Sequence, residues 1–491
     1  MKESIMLLVI LLPVISGILV PLLTFKKRRH MEIFLEIVVV INSLLVWGIL
    51  LEFPEESFTL ARFTGNLTIS FRVDGMTMVF AGLVSALWPF ATLYAFEYMT
   101  REERERSFFA FYTMTYGVTL GIALAGNMLT MYFFYELLTL VTVPLVMHTL
   151  TREAILASRK YLYYSLGGAA FAFIGLIFVI IYGNTTDFVL GGVLEPARIG
   201  ERTNVLLLIY VIAFMGFGVK AAVCPFNSWL PDAGVAPTPV TALLHAVAVV
   251  KSGAFAIIRL TYYSFGTEFL KGTWAQNVVM IIVMFTIVYG CSRAVKETHL
   301  KRRLAYSTVS NLSYILFGVT IMTPFGMTAA LSHLVFHAVM KICSFFCAGA
   351  VMHQTERQYV HEVDGLGYQM PCVFGIFTVS SFALMGVPGF AGFVSKWNLA
   401  SAAVESGNPI AWGGIGCLLV SALLTAIYML TIVIRAFFPG EDFNREGVKE
   451  IKDPNWKMLL PLFIFAVFIF LFGLRSAVLV RFFNDVAVGV Y

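Results

Sequence analysis

Apolar runs follow one another along the whole chain, separated by short polar connections. A helix needs about 20 largely apolar residues to cross a bilayer, and on that measure about fourteen spans are predicted. They fall at 4–25, 31–53, 75–99, 108–126, 128–149, 161–183, 203–230, 238–262, 274–293, 303–323, 327–352, 372–400, 409–436 and 457–482. Lipid admits only segments that satisfy their own backbone, and the alternating strands of a membrane barrel do not occur here. The pattern therefore predicts an all-α integral membrane protein. One stretch within 54–74, FTLARFTGNLTISFRVD, alternates apolar and polar positions around Gly65-Asn66 and predicts a short extracytoplasmic hairpin. The expected organisation is three N-terminal spans with the hairpin (1–100), two runs of five spans (108–262 and 274–436), and a last span (457–491).

Two spans interrupt their own pattern. In the seventh, Pro225 follows Lys220, and Pro231, Pro237 and Pro239 come after it. In the twelfth, Met385-Gly386-Val387-Pro388-Gly389-Phe390 precedes Gly392 and Lys396. Proline removes a backbone donor and frees carbonyls in mid-membrane, which is tolerated only where protein or water lines the break. Helices 7 and 12 are therefore expected to be broken at Pro225 and at Pro388-Gly389. They hold corresponding places in the two five-span runs, and such paired breaks point to a transporter's ion path.

Composition agrees with the pattern and narrows it. The 491 residues are 59% hydrophobic and 13% charged, against roughly 25% charged in soluble domains. The net charge of +5 does not point to nucleic acid, because the charges sit in short connections where they set topology. Basic connections (26–29, 101–106, 152–160, 293–303, 449–457) alternate with an acidic stretch at 52–56 and a polar loop at 187–204. The basic side is expected to be cytoplasmic, with both termini outside the cytoplasm. The first run lacks a basic leader and reads as a span rather than a cleaved signal. The connection 439–456 is too short to fold alone. The six cysteines show no metal-site spacing, and Cys343 and Cys347 read as small packing residues.

Against this apolar background stand Glu136, Lys220, His245, Lys251, His333, His337, Lys341 and Lys396, all inside predicted spans. A charge at the bilayer centre costs about 3 kcal/mol on insertion scales, so such residues face an interior or a wet path and read as functional. Glu136 is either a structural ion pair, a neutral acid, or a carboxylate whose proton affinity a lysine partner controls. Lys220 lies beside the carbonyls freed at Pro225. His245 and Lys251 are six residues apart, a rise of about 9 Å, and so are separate stations. His333, His337 and Lys341, spaced by four, share one helix face over about 12 Å of depth, and histidine titrates near neutral pH. A metal would need further ligands that the pattern does not offer, and two histidines on one helix cannot clasp a haem. Lys396 is either a snorkelling lysine or part of a wet, irregular helix. Arg259, Arg435, Arg475 and Glu97 lie nearer span ends, where snorkelling explains them.

These residues also carry a resemblance. LPDAGVAPTPVTALLHAVAVVKSGAFAIIR, HLVFHAVMK, LMGVPGFAGFVSK and the glutamate of FFYELL resemble the antiporter-like subunits shared by respiratory complex I, Mrp-type sodium/proton antiporters and membrane-bound hydrogenases, over roughly 70–435. The resemblance implies a fourteen-helix fold with two inverted five-helix repeats. It implies an inlet pair at Glu136 and Lys220, and a central lysine at Lys251 with His245 beside it. It further implies a relay through His333, His337 and Lys341, and a terminal lysine at Lys396. The lysine at 396, and an end soon after the last span, resemble the D-type Mrp subunit or its hydrogenase-complex counterpart. The implied activity is proton translocation, with sodium/proton exchange left open, in a multi-pass subunit of the inner or plasma membrane. No residue set for nucleotide, flavin, haem or an iron–sulfur cluster is evident, so no cofactor is expected. The expected partners are other membrane subunits, with a redox module bearing iron–sulfur clusters as one energy source, and membrane lipid. A scaffold that moves no ions, a quinone-binding subunit and a stand-alone antiporter are the rival readings.

Overall fold

The structure, a computed structural model, describes residues 2–52, 55–64, 67–440 and 451–491. The turn residues Gly65-Asn66 of the expected hairpin and the stretch 441–450 of the expected connection 439–456 lie outside the described residues. The fold is that of an all-α multi-pass membrane protein. Its helices are α1 (Lys2–Leu22), α2 (Arg28–Glu52), α3 (Gly75–Tyr98), α4 (Glu105–Ala123), α5 (Met128–Val146), α6 (Arg152–Tyr182) and α7 (Thr203–Lys220). There follow α8 (Thr238–Phe265), α9 (Trp274–Lys296), α10 (Leu300–Thr320), α11 (Pro324–Thr355), α12 (Pro371–Met385), α13 (Ala391–Glu405), α14 (Pro409–Phe437), α15 (Trp456–Leu474) and α16 (Ala477–Ala487). Among the described residues, eleven helices are long and apolar enough to cross a membrane. α4 and α10, which the sequence also marks as spans, are of similar length but more polar.

The expected hairpin is present as β1 (Ser57–Arg62) paired antiparallel with β2 (Thr68–Arg72). It is stitched to the α4–α5 connection, where Arg72 N donates to Leu124 O (2.8 Å) and Gly126 N to Ser70 O (2.9 Å). Asn127 closes the junction: its Oδ1 caps α5 at Thr130 N, and its Nδ2 donates to Thr68 O. The basic connections gather on the opposite face, where Arg28 and Lys457 both meet Glu32, and Lys160 and Arg302 both meet Asp232.

Burial divides the helices into two classes. The most apolar windows of α8 and α11 are 100% buried, whereas those of α1 and α15 are only 39% and 33% buried. Small residues allow the close approach that packing in lipid depends on. A Cβ at Gly117 of α4 would stand 2.3 Å from the Ile10 carbonyl oxygen of α1. The enclosed pair, α8 and α11, carries five of the eight titratable residues singled out above: His245, Lys251, His333, His337 and Lys341.

Both expected breaks form. α7 stops at Lys220, Ala222 turns left-handed (φ 55°), and the chain passes Pro225 before α8 begins at Thr238. α12 stops at Met385, Gly386 and Gly389 take φ of 90° and 92°, and α13 resumes at Ala391. Two departures from the sequence expectation stand out. α8 is not one regular helix, for π-helical turns occupy Leu243–Val247 and Arg259–Phe265. The last predicted span is two helices, α15 and α16, parted after Leu474.

Candidate functional site

At the end of α7, Lys220 meets α5. Its ammonium lies 3.4 Å from the centre of the Tyr135 ring and 3.8 Å from Glu136 Oε1, and donates to the Tyr135 carbonyl. The lysine side chain is 1% exposed and the glutamate 25%, so the acid is the more exposed member of the pair. Among the described residues, no hydrogen bond joins Lys220 to the carbonyls freed at Pro225. A helical side chain leans toward the N-terminus of its own helix, away from a break downstream. Gly253 of α8 holds this corner tightly: a Cβ there would stand 2.6 Å from Ala221 N.

The centre is a contact between the two enclosed helices. Lys251 Nζ of α8 lies 2.5 Å from His337 Nδ1 of α11. The His337 ring stacks on His333 at 5.6 Å, and His333 Nδ1 bonds Ser395 Oγ at 2.9 Å. Lys341, one turn further along α11, donates to Ser307 Oγ (2.7 Å) and to Leu304 O (3.1 Å) of α10. Among the described residues, no hydrogen bond joins His245 to Lys251. His245 sits inside the π-helical turn Leu243–Val247, its ring lies 4.9 Å from that of Phe345, and both its nitrogens lack a hydrogen-bond partner among the described residues.

Lys396, next to Ser395, donates to Leu384 O (2.6 Å) and Met385 O (3.2 Å), the last carbonyls of α12. These are the groups that a helix end leaves without an internal donor. Its ammonium also stands 5.3 Å from the Tyr314 ring centre. Direct contacts thus run from Lys251 through His337 and His333 to the neighbour of Lys396. Gly253, two residues after Lys251 on α8, packs against Lys220 and Ala221.

Snorkelling fails for Arg259. It is fully buried and grips Asp74 with two bonds of 2.7 Å. Asp74 in turn caps α3 by accepting from Thr77 N. The available sequence signal was an arginine eight residues beyond Lys251 on the same helix, together with an aspartate just before a span. On the basic face a cavity of about 900 Å³ opens near the start of α8, with Glu102, His299, Lys301 and His353 in its wall. Burial pushes the Glu102 carboxyl above its ordinary value, opposed by Lys301, and holds the His299 imidazole below its own. Among the described residues no three His, Cys, Asp or Glu side chains gather so as to hold a metal ion.

Comparison with known proteins gives the family and the fold. Residues 125–425 match the family described as "NADH:quinone oxidoreductase/Mrp antiporter, TM", more than half of the chain. The chain belongs to this antiporter-like membrane family. Residues 62–109 match the N-terminal part of chain 5 of NADH-ubiquinone oxidoreductase (complex I). Na(+)/H(+) antiporter subunit A1 of Staphylococcus haemolyticus (strain JCSC1435) is 27% identical over 507 residues, and that of Staphylococcus aureus is 27% identical over 504. Each alignment covers 97% of this chain but 62% of the relative, so the chain spans under two thirds of those proteins. Two solved structures share the fold at 21% identity. One is in the membrane-bound sulfane sulfur reductase, an archaeal respiratory membrane complex (TM-score 0.86, covering 98% of this chain and 97% of that one). The other is in the Mrp complex of Dietzia sp. DQ12-45-1b (TM-score 0.85, covering 100% and 97%).

Proposed function

We propose that this chain is a proton-translocating subunit of a multisubunit membrane complex, exchanging protons for sodium as the name of its relatives describes for them. The observation that carries the reading is the row of basic side chains inside two enclosed helices, joined at the 2.5 Å contact of Lys251 with His337. Glu136 and Lys220 form the inlet pair, Lys251, His337 and His333 the relay, and Lys396 the terminal station. His245 and Lys341 flank the relay, and the breaks at Pro225 and Pro388-Gly389 supply irregular backbone along it.

The drive is electrostatic. Withdrawing Glu136 from 3.8 Å to roughly twice that distance weakens the pair by about 2 kcal/mol at an effective dielectric near 20. That changes proton occupancy by more than tenfold, since about 1.4 kcal/mol is one pKa unit. A neighbouring subunit touching the exposed side of Glu136 is the agent of that movement. In this reading 108–262 and 274–436 are the two inverted repeats, flanked by 1–100 and 457–491. The basic face is cytoplasmic and both termini lie outside. Partners are other membrane subunits and lipid, with a redox module bearing iron–sulfur clusters as the finer proposal, which the co-purifying subunits test.

Lys251→Met in the complex, reconstituted into vesicles, is expected to abolish ion transport while the complex still assembles. Full transport by that variant, or a loosened complex with normal transport, refutes the reading in favour of a scaffold.

A further inference from the structure

On the hairpin face, two cavities lead inward to a charge pair that the row of basic side chains does not use. The outer one, about 810 Å³, lies between the hairpin and the α4–α5 connection, with Glu3, Glu55, Arg62, Arg72 and Asp187 among its walls. The inner one, about 190 Å³, shares Glu55 and Arg72 with it and reaches Asp74 beneath Phe188 and Tyr263. Behind Asp74 stands Arg259, its guanidinium 4.7 Å from the ring centres of Phe188 and Tyr263 and 5.2 Å from that of Phe255. Arg259 Nε has no hydrogen-bond partner among the described residues. One turn further in, Phe255 stacks on Phe80 at 4.9 Å. Ser252, two turns before Arg259 and next to Lys251, is fully buried, and its hydroxyl also lacks a partner there. Arg259 and Lys251 are about 12 Å apart along the helix rise.

We propose that Asp74 and Arg259 form a gate on a second proton route, running from the hairpin-face cavities to Lys251. The inference rests on the proton-translocation reading above. In the closed arrangement the carboxylate holds both terminal guanidinium nitrogens and the first turn of α3, while the Phe80–Phe255 stack closes the way inward. A proton taken up by Asp74 neutralises the carboxylate and loosens the pair. The π-helical turn Arg259–Phe265 is a place where α8 can adjust, as such turns are at functional sites. The proton then passes by the Ser252 hydroxyl to the Lys251 amine when that amine is neutral. The carboxylate is already engaged by a guanidinium and the walls are aromatic, so the traveller is a proton rather than a metal cation. The charged and titratable groups around Asp74 are Arg72 on β2, Arg259 and Tyr263 on α8, Glu55 before β1, and Tyr491 in the inner cavity.

Asp74→Asn in the reconstituted complex tests this. Asparagine keeps an acceptor for Thr77 N and for Arg259, so the fold is retained. With normal amounts of assembled complex, transport is expected to fall by about tenfold or more. It is also expected to lose its dependence on pH on the hairpin-face side alone. A wild-type rate with both pH profiles unchanged overturns the gate, as does a loss that only follows a fall in assembled complex. Phe255→Ala is expected to make vesicles leak protons without sodium, and tight vesicles count against the gate. If Lys251→Met abolishes transport while Asp74→Asn leaves it normal, the gate falls and the basic row stands. Normal transport in both removes the row itself.

Discussion

The two broken helices hold their lysines by different means. Lys220, at the end of α7, faces a carboxylate at 3.8 Å and a tyrosine ring on another helix. Lys396, just past the break between α12 and α13, faces two carbonyls of its own break at 2.6 and 3.2 Å. The first partner is a carboxyl group on a separate, partly exposed helix. The second is fixed backbone dipole, available because a helix end leaves its last carbonyls without donors. A shared device, a proline-broken helix with a lysine beside it, thus sets one lysine against a side chain of another helix and the other against the backbone of its own break.

The largest expected effect breaks the comparison at its rigid end. Lys396→Glu would set an anion against the Leu384 and Met385 carbonyls, at a cost of about 3–5 kcal/mol for an unpaired buried charge. Thermal unfolding and the yield of folded protein in detergent should both fall steeply. A stable, abundant variant would show that the carbonyls do not define this site.

The carboxyl end is sharpened by a double-mutant cycle of Glu136→Gln and Lys220→Met. Coupling of about 1–3 kcal/mol is expected in unfolding free energy. A value near zero would make the glutamate a bystander and the two halves alike.

The smallest effect concerns how the carboxyl end is held. Gly253→Ala places a Cβ 2.6 Å from Ala221 N and 2.9 Å from the Lys220 carbonyl carbon, so backbone must shift. A loss of about 1–3 kcal/mol follows from such overpacking. Transport should drop with it, because Lys220 moves off the Tyr135 ring. An unchanged melting temperature and rate would mean that α7 and α8 are not locked together at this corner.

Much of this was legible before the fold. Apolar runs marked the helices, proline and glycine at 225, 388 and 389 marked both breaks, and charges inside spans marked the row. The hairpin was readable from its alternation. What escaped was pairing across distance. Lys251 meets His337 from 86 positions away, and Asp74 meets Arg259 across 185, where no periodicity connects them. Arg259 read as a snorkelling residue because its place near a span end looks the same whether its neighbour is lipid headgroup or aspartate. The π turns of α8 left no signature either, since one added residue in a turn leaves the composition of a mostly apolar run unchanged.

The amino-acid order by itself determined that the chain crosses a membrane many times, where two of the crossings break, and which side chains would be costly inside. Each of these follows from a local balance, apolar transfer on one side and an unsatisfied charge or amide on the other. Only the tertiary structure decided that α8 and α11 are the enclosed helices, that one lysine answers to a carboxylate and the other to carbonyls, and that an arginine at a span end is locked to an aspartate. The charges inside α8 and α11 disfavour lipid around them, but nothing in the order of residues says which helices cover them, so those neighbours were chosen by packing.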